Sequence, residues 1–207
     1  MNITRVIFGR TTLSERYVFR GGDPSVERPI VLSVFLIDTG DRRILVDSGC
    51  DTMPGFDVED FIGPERALEM IGVSPLDITD IVLTHSHHDH TESTHLYKNA
   101  TVYVHRDEYP ESCRFIPDGM RVELFTDEAV ICDGVRAVWS GGHSLGSSVV
   151  EIDCGDETVV IVGDECYSHE CFTRQIPTGS AVAPLRAESF IKKYSSPEYR
   201  VLITHEI

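Results

Sequence analysis

The sequence lacks several features that would assign it to a class at once. Basic residues are few, since 18 Lys and Arg stand against 34 Asp and Glu and give a formal net charge of −16. An acidic chain repels phosphate backbones and anionic membrane surfaces, so we expect neither nucleic acid nor a membrane as a partner. The most apolar run, residues 31–37, is too short to cross a bilayer, and the N-terminal residues show no signal-peptide pattern. We therefore expect a soluble, cytoplasmic protein.

A disulfide framework and a division into domains are also missing. The six cysteines form no CxxC pair and no recognisable spacing, so we expect reduced thiols that serve packing. No repeat, low-complexity tract or long linker interrupts the chain. A chain of 207 residues with 41% hydrophobic residues can bury a substantial core, which predicts one domain over 1–207.

Short β-rich runs dominate the pattern of apolar residues. Helical periodicity is confined to 64–71 and 184–195, with a third helix expected to open at Asp89. Strands that carry helices between them indicate sheets covered by helices, in an α/β or α+β architecture. Loops are expected at 24–29 and 177–184, and strands at 3–8, 31–38, 42–47, 80–84, 101–104, 121–125, 129–139, 147–153, 158–163 and 200–204.

The most informative segment is DIVLTHSHHDHT, residues 80–91. An apolar strand leads directly into four potential metal ligands within six positions: His85, His87, Asp89 and His90. Imidazole and carboxylate groups bind divalent ions well, and a turn after a rigid strand can direct closely spaced side chains at one point. A polar surface loop would explain an isolated pair of histidines better than a metal site would.

Three later segments favour the metal site over the surface loop. VWSGGH (138–143), VVIVGD (159–164) and VLITH (201–205) each read as a strand that ends in one ligand type. They place His143, Asp164 and His205 at strand ends.

The pattern HxHxDH, followed by a separate His, Asp and His, resembles the dinuclear metallo-β-lactamase superfamily over nearly the whole chain. The resemblance implies an α+β fold, a four-layer αββα sandwich with two metal ions at one edge of the packed sheets. The segment ILVDSG (44–49) resembles an early strand of that superfamily, which implies that Asp47 supports the ligand loop without binding metal. By this resemblance His85, His87 and His143 hold the first ion, Asp89, His90 and His205 hold the second, and Asp164 bridges both.

The implied chemistry is hydrolysis by a hydroxide that bridges the two ions. Zinc is expected first for an all His/Asp set, although the same ligands also suit iron or manganese. Tyr167, three residues after Asp164, and the segment 101–109 resemble the N-acyl homoserine lactonase branch, which implies a lactone or carboxylic ester as the small-molecule substrate. In that branch the residue matched by Tyr167 hydrogen-bonds the substrate carbonyl or its oxyanion, and the one matched by Asp89 returns a proton to the leaving alkoxide.

Other interpretations remain at this point. GHSLG (142–146) fits the GxSxG nucleophile elbow around Ser144, but 145–153 reads as a turn and a strand where the elbow requires a helix. A thioesterase of the hydroxyacylglutathione hydrolase type usually has an added basic C-terminal segment, which this sequence does not show. A metal-bound binding or sensing protein would keep the ligands without turnover.

Three further features complete the sequence-based expectations. The superfamily often continues its motif with glycines, whereas Thr91, Glu92 and Ser93 follow here, so the shape of the pocket beside the second ion is left open. The aromatic and aliphatic residues at 53–62 and 172–185 could line an acyl pocket, although core or loop packing explains most of them. The remaining histidines are expected to be structural or solvated: His88, His95, His105 and His169.

Overall fold

Two β-sheets contain the eleven strands of the computed structural model, which describes residues 1–207. The strands are β1 (Asn2–Ser14), β2 (Glu27–Asp38), β3 (Arg43–Val46), β4 (Asp80–Leu83), β5 (Thr101–His105), β6 (Arg121–Phe125), β7 (Glu128–Cys132), β8 (Val135–Trp139), β9 (Ser148–Asp153), β10 (Thr158–Ile161) and β11 (Tyr199–Leu202). The helices are α1 (Glu15–Val18), α2 (Gly63–Met70), α3 (His88–Thr91), α4 (Tyr109–Ser112), α5 (Glu170–Arg174) and α6 (Pro184–Tyr194).

The first sheet has the order β1-β2-β3-β4-β5-β6. Strands β1, β2 and β3 pair in antiparallel fashion, whereas β3, β4, β5 and β6 run parallel to one another. Parallel strands end at the same edge of a sheet. Asp47, just after β3, and His85, just after β4, are therefore brought to one edge.

The second sheet has the order β11-β10-β9-β8-β7. Strands β10 and β11 are parallel, and both β8 and β10 are antiparallel to β9 between them. It follows that β8, β10 and β11 all end at the same edge. The segments that follow these three strands contain His143, Asp164 and His205.

Three apolar cores make the sheets into a four-layer αββα sandwich. One core lies between the sheets and joins residues such as Val82 of β4 to Val150 of β9. A second packs α2 against the outer face of the first sheet, and a third packs α6 against the outer face of the second. Strands buried on both faces need no polar alternation, which is why β4 and β10 contain continuous apolar runs. The predicted α+β sandwich is confirmed.

Most predicted elements are present, and the exceptions have local causes. The predicted strand 129–139 is wrong, because a turn at Asp133 and Gly134 divides it into the hairpin β7–β8, with Gly134 at φ 76°. The predicted loop 24–29 is wrong at 27–29, where β2 already pairs with the long β1. Helices of four or five residues, such as α1 and α5, leave no periodic signal in a sequence. No helix has the length and apolar character that would let it span a membrane.

Candidate metal centre

The seven side chains that the sequence singled out as ligands meet at the edge where the strands of both sheets end. They form two groups, and within each group the potential ligand atoms lie within 4.8 Å of one another. The first group contains His85, His87, His143 and Asp164, and the second contains Asp89, His90 and His205. No other group of this kind, with three or more ligand-type side chains, occurs in the molecule.

In the first group three ring nitrogens converge. His87 Nδ1 lies 2.9 Å from His85 Nε2 and 3.0 Å from His143 Nε2. Asp164 Oδ2 faces the same point, 3.7 Å from both of these Nε2 atoms. The four atoms therefore surround a position that a single cation could share.

In the second group Asp164 contributes its other oxygen. The Nε2 atoms of His90 and His205 lie 3.2 Å apart, and they are 3.1 and 3.0 Å from Asp164 Oδ1. Asp89 Oδ2 lies 3.5 Å from His90 Nε2 and 3.7 Å from His205 Nε2. Asp164 thus faces each group with a different carboxylate oxygen, as a bridging ligand would.

These donors fit divalent metal ions. Asp164 Oδ1 is buried and receives no hydrogen bond of acceptable geometry, despite the two nearby imidazoles. A buried carboxylate oxygen without a donor is costly unless a cation compensates it. Imidazole and carboxylate ligands suit zinc and other divalent first-row metals.

Three of the histidines are fixed through the ring nitrogens that face away from the two groups. His90 Nδ1 lies 2.7 Å from Asp47 Oδ2, and His205 Nδ1 lies 2.8 Å from the carbonyl oxygen of Val31. His143 Nδ1 lies 3.0 Å from the hydroxyl of Ser180. Such contacts set the orientation of the ring and leave Nε2 for a metal.

The same Asp47 that the resemblance placed behind the ligand loop also holds the start of that loop. Its Oδ1 accepts hydrogen bonds from the backbone and the hydroxyl of Thr84, at 2.8 and 2.9 Å. Asp47 has a φ of 63°, a left-handed conformation that turns the chain sharply after β3. One carboxylate thereby positions both His90 and the residue before His85.

Burial and charge act in opposite directions on the pKa values at this edge. Burial lowers the pKa of His85 well below its usual value, which favours the neutral imidazole that binds metals. Burial alone would raise the pKa of Asp164, but the charges of His90 and His205 hold it well below its usual value. The carboxylate of Asp164 is therefore ionised and available to a cation.

Tyr167 lies against both groups. Its hydroxyl donates a hydrogen bond to Asp164 Oδ2 at 2.6 Å, and its ring stacks on His205 with the planes 23° apart. Burial, together with the nearby carboxylate of Asp164, raises the pKa of Tyr167 well above its usual value. The phenol therefore stays protonated and can act as a hydrogen-bond donor.

A cavity of about 420 Å³ opens onto the two groups. The candidate ligands His87, Asp89, Asp164 and His205 line it, together with His88 and Tyr167. The rest of the lining, the apolar wall, consists of Leu13, Ile30, Met53, Pro54 and Phe56. Part of the segment 53–62 thus lines the cavity, whereas no residue of 172–185 does.

Glu92 lies where the superfamily often has glycines, directly after the HxHxDH motif, and it holds part of the cavity wall in place. Its Oε2 accepts hydrogen bonds from the backbone N–H groups of Asp51 and Thr52, at 2.8 and 2.9 Å. These two residues directly precede the apolar wall formed by Met53, Pro54 and Phe56. Glu92 therefore anchors the wall to the segment that carries the ligands of the second group.

The serine-nucleophile interpretation is excluded by the structure. Ser144 is followed by a turn and then by β9, with no helix, and its hydroxyl donates to Glu108 Oε1 at 2.7 Å. None of its hydrogen bonds involves a histidine. The histidines expected to be structural lie outside the two groups, and His105 is buried and stacked on Trp139.

Sequence reasoning missed two buried carboxylates beside the site. Glu108 and Glu165 are 4% and 1% exposed and accept hydrogen bonds from the loop that carries His143. The available signal was weak, since each is only an acidic residue shortly after an apolar strand. Their partners lie far away in the sequence, so no local pattern reveals them.

The comparison with known families decides the assignment. The sequence profile of the metallo-beta-lactamase superfamily matches residues 28–189, most of the chain. This chain belongs to the metallo-beta-lactamase superfamily. The resemblance of the HxHxDH motif is therefore confirmed as membership.

Individual relatives within the superfamily point to one branch. An N-acyl homoserine lactonase of Bacillus thuringiensis is 24% identical over 206 residues, covering 86% of this chain and 82% of the relative. A probable metallo-hydrolase of Methanocaldococcus jannaschii is 28% identical over 142 residues, covering 68% of this chain and 63% of the relative. The lactonase relative and the site identify this metallo-beta-lactamase superfamily member as a metal-dependent hydrolase of the lactonase-like branch.

Solved structures show the same fold. An N-acyl homoserine lactone hydrolase, described with the product N-hexanoyl-L-homoserine bound at its catalytic metal centre, superimposes with a TM-score of 0.84 at 21% identity. The superposition covers 99% of this chain and 93% of that one. Nearly every element of this chain has a counterpart in that metallo-beta-lactamase fold.

Proposed function

We propose that this hydrolase opens lactones, with N-acyl homoserine lactones as the leading substrate class and simple carboxylic esters as weaker substrates. The observation that carries the proposal is the cavity, which is lined both by candidate ligands and by apolar side chains. An acylated lactone likewise combines a polar ring with an apolar chain. The lactonases among the relatives support this choice.

We propose that all seven residues of the two groups hold two divalent ions, with zinc as the leading candidate. The ions, when bound, lower the pKa of a water molecule and polarise the substrate carbonyl. The protein contributes the orientation of each ligand, through contacts such as that of Asp47 with His90. It also shields four of the ligand histidines from bulk water, since His85, His90, His143 and His205 are all at most 2% exposed, whereas His87 is exposed.

Tyr167 stabilises the negative charge that develops on the carbonyl oxygen, and Asp89 transfers the proton of the attacking water. Tyr167 keeps its proton and lines the cavity, so its hydroxyl can donate to the carbonyl oxygen as negative charge develops there. Asp89 also lines the cavity, and its carboxylate can take the proton of the attacking water. The same carboxyl then protonates the ring oxygen that leaves as an alcohol.

Metal content and a substrate panel test the proposal together. Protein purified without added zinc is analysed for bound metals, and hydrolysis is measured on lactones, thioesters and phosphodiesters. Two ions per chain and turnover of acyl lactones are expected. Turnover of thioesters alone would assign the chain to the thioesterase class and overturn the lactone proposal, and two ions without turnover of any substrate would indicate a binding or sensing protein.

Tyr167→Phe is expected to lower kcat/KM on a lactone by about 100-fold, which is the scale of losing one donor to an oxyanion. Metal content should stay unchanged, because the phenol is not among the candidate ligands. Tyr194→Phe is the matched control, since Tyr194 is also buried and donates to a buried carboxylate, Glu151, at 2.7 Å. Equal kcat/KM values for Tyr167→Phe and the unchanged protein would remove Tyr167 from the mechanism.

Glu92→Gln is expected to loosen the apolar wall of the cavity. The loss of about 1 kcal/mol from its hydrogen bonds to Asp51 and Thr52 would raise KM for a long-chain acyl lactone about fivefold, with kcat little changed. Glu157→Gln is the control, because Glu157 pairs with Arg200 at 2.8 Å and does not line the cavity. A KM that rises equally for short and long acyl chains would contradict this role.

A further inference from the structure

We infer that Glu108 is a positioning residue that sets the separation of the two loops carrying His85, His87 and His143, and thereby the affinity of the first metal position. The inference rests on the proposed role of these histidines as ligands. It concerns neither the substrate nor a bond between Glu108 and a metal. Glu108 is absent from both candidate ligand groups.

One oxygen of Glu108 holds the HxH segment. Oε2 accepts hydrogen bonds from the backbone N–H of Ser86 at 2.8 Å and from its hydroxyl at 2.5 Å. Ser86 is the residue between His85 and His87. The position of its N–H and side chain therefore fixes the backbone between two ligands.

The other oxygen of Glu108 holds the loop after His143. Oε1 accepts hydrogen bonds from the hydroxyl of Ser144 at 2.7 Å and from the backbone N–H of Gly146 at 2.8 Å. Ser144 is the residue directly after His143. A single buried carboxylate thus receives four hydrogen bonds from two segments that are distant in the sequence but carry ligands for the same ion.

Close packing leaves the carboxylate little freedom to move. A Cβ atom at Gly146 would lie 2.8 Å from Cγ of Glu108 and 2.5 Å from Nδ1 of His105, so only glycine fits there. The backbone of Glu108 is itself held, because its N–H donates to the carbonyl of His105 at 3.0 Å. The carboxylate that joins the two loops therefore extends from a hydrogen-bonded turn between β5 and α4.

Hydrogen bonds replace a counterion at this carboxylate, since Glu108 forms no ion pair with a Lys, Arg or His. Burial would raise its pKa, but the donors from Ser86, Ser144 and Gly146 hold the pKa below its usual value. All four donors point at an ionised group with acceptor oxygens only. A glutamine side chain in its place would accept hydrogen bonds through one oxygen only, and its NH₂ group would face two of the four donors.

Glu165 holds the same loop through different residues. Its Oε1 accepts hydrogen bonds from the backbone N–H groups of Gly142 and His143, at 2.9 and 3.1 Å. Glu165 fixes the loop relative to the neighbouring Asp164, whereas Glu108 fixes it relative to the HxH segment. The two carboxylates therefore have separable roles.

The test is a zinc titration of the metal-depleted protein in competition with a chromogenic chelator. Glu108→Gln keeps the size of the side chain, and we expect it to weaken one of the two zinc affinities by about 10- to 100-fold, the usual cost of losing a residue that orients metal ligands. His143→Ala and His205→Ala serve as markers for the first and second positions. The titration of Glu108→Gln should resemble that of His143→Ala.

Glu151→Gln is the matched control for the loss of a buried carboxylate. Glu151 is 3% exposed and accepts hydrogen bonds from Arg136, Lys193 and Tyr194, far from both ligand groups. We expect it to lower thermal stability and leave both zinc affinities unchanged. If Glu108→Gln does not fold, Ser144→Ala removes one of the four hydrogen bonds and should give a smaller loss confined to the same ion.

Wild-type affinities for both ions in Glu108→Gln, or an equal loss in Glu151→Gln, would overturn the role of Glu108. A loss that matches His205→Ala instead of His143→Ala would also overturn it. Because the titration measures zinc binding and uses no substrate, an absence of lactone turnover would not affect its result. The two proposals can thus fail separately.

Discussion

Asp164→Ala is expected to lower kcat/KM on a lactone by about 10³-fold, since loss of electrostatic stabilisation at a reacting centre has effects of this size. The reason is the position of Asp164, whose two oxygens face the two groups of candidate ligands separately. Bound metal should fall below two ions per chain. Steady-state kinetics and elemental analysis on the same preparation measure both effects.

Asp80→Ala is the control for the loss of a buried aspartate. Asp80 is 2% exposed and pairs with Arg42 at 3.0 Å, at the end of β4 opposite the ligands. This variant should lose stability and keep its metal and its turnover per bound metal pair. Two tightly bound ions in Asp164→Ala would show that the carboxylate does not bridge them.

Removal of the metals is expected to lower the Tm by about 8–16 °C. Two ions, each present at about 30 times its Kd, together stabilise the native state by about 4 kcal/mol, and each kcal/mol shifts the Tm of a domain of this size by about 2–4 °C. The buried oxygen of Asp164 without a donor adds to this dependence. Thermal unfolding with a chelator, and again after zinc is restored, measures the shift.

The same thermal unfolding experiment on Asp164→Ala distinguishes the effect of metal loss on the Tm from other effects of the chelator. Because that variant is expected to hold its metals weakly, the chelator should change its Tm by much less. A wild-type Tm that is identical with and without the chelator would mean that the ions contribute nothing to the native state, and this would contradict the proposed ligand set.

The sequence predicted those parts of the molecule that depend on local pattern. Helices α2 and α6 follow from periodicity, and the central strands from their apolar runs. All seven candidate ligands could be named because each follows a recognisable strand or lies within one short motif. The αββα arrangement came from the resemblance of that motif, because periodicity alone does not specify how strands pair.

The features that escaped prediction depend on contacts between distant segments. Glu108 joins Ser86 to Ser144, and its sequence context resembles that of any acidic residue after a strand. The hairpin at Asp133 and Gly134 was missed because apolar residues flank it on both sides. The anchoring of the cavity wall by Glu92 could be recognised only after Asp51 and Thr52 were located beside it.

The placement of the ligands on both sheets has a consequence for the order of folding. The HxHxDH segment follows a strand of the first sheet, whereas His143, Asp164 and His205 follow strands of the second. Neither sheet alone offers a complete set for either ion. His205 follows β11, so the candidate ligands come together only after both halves of the sandwich have docked, and tight metal uptake is expected as the final step of folding.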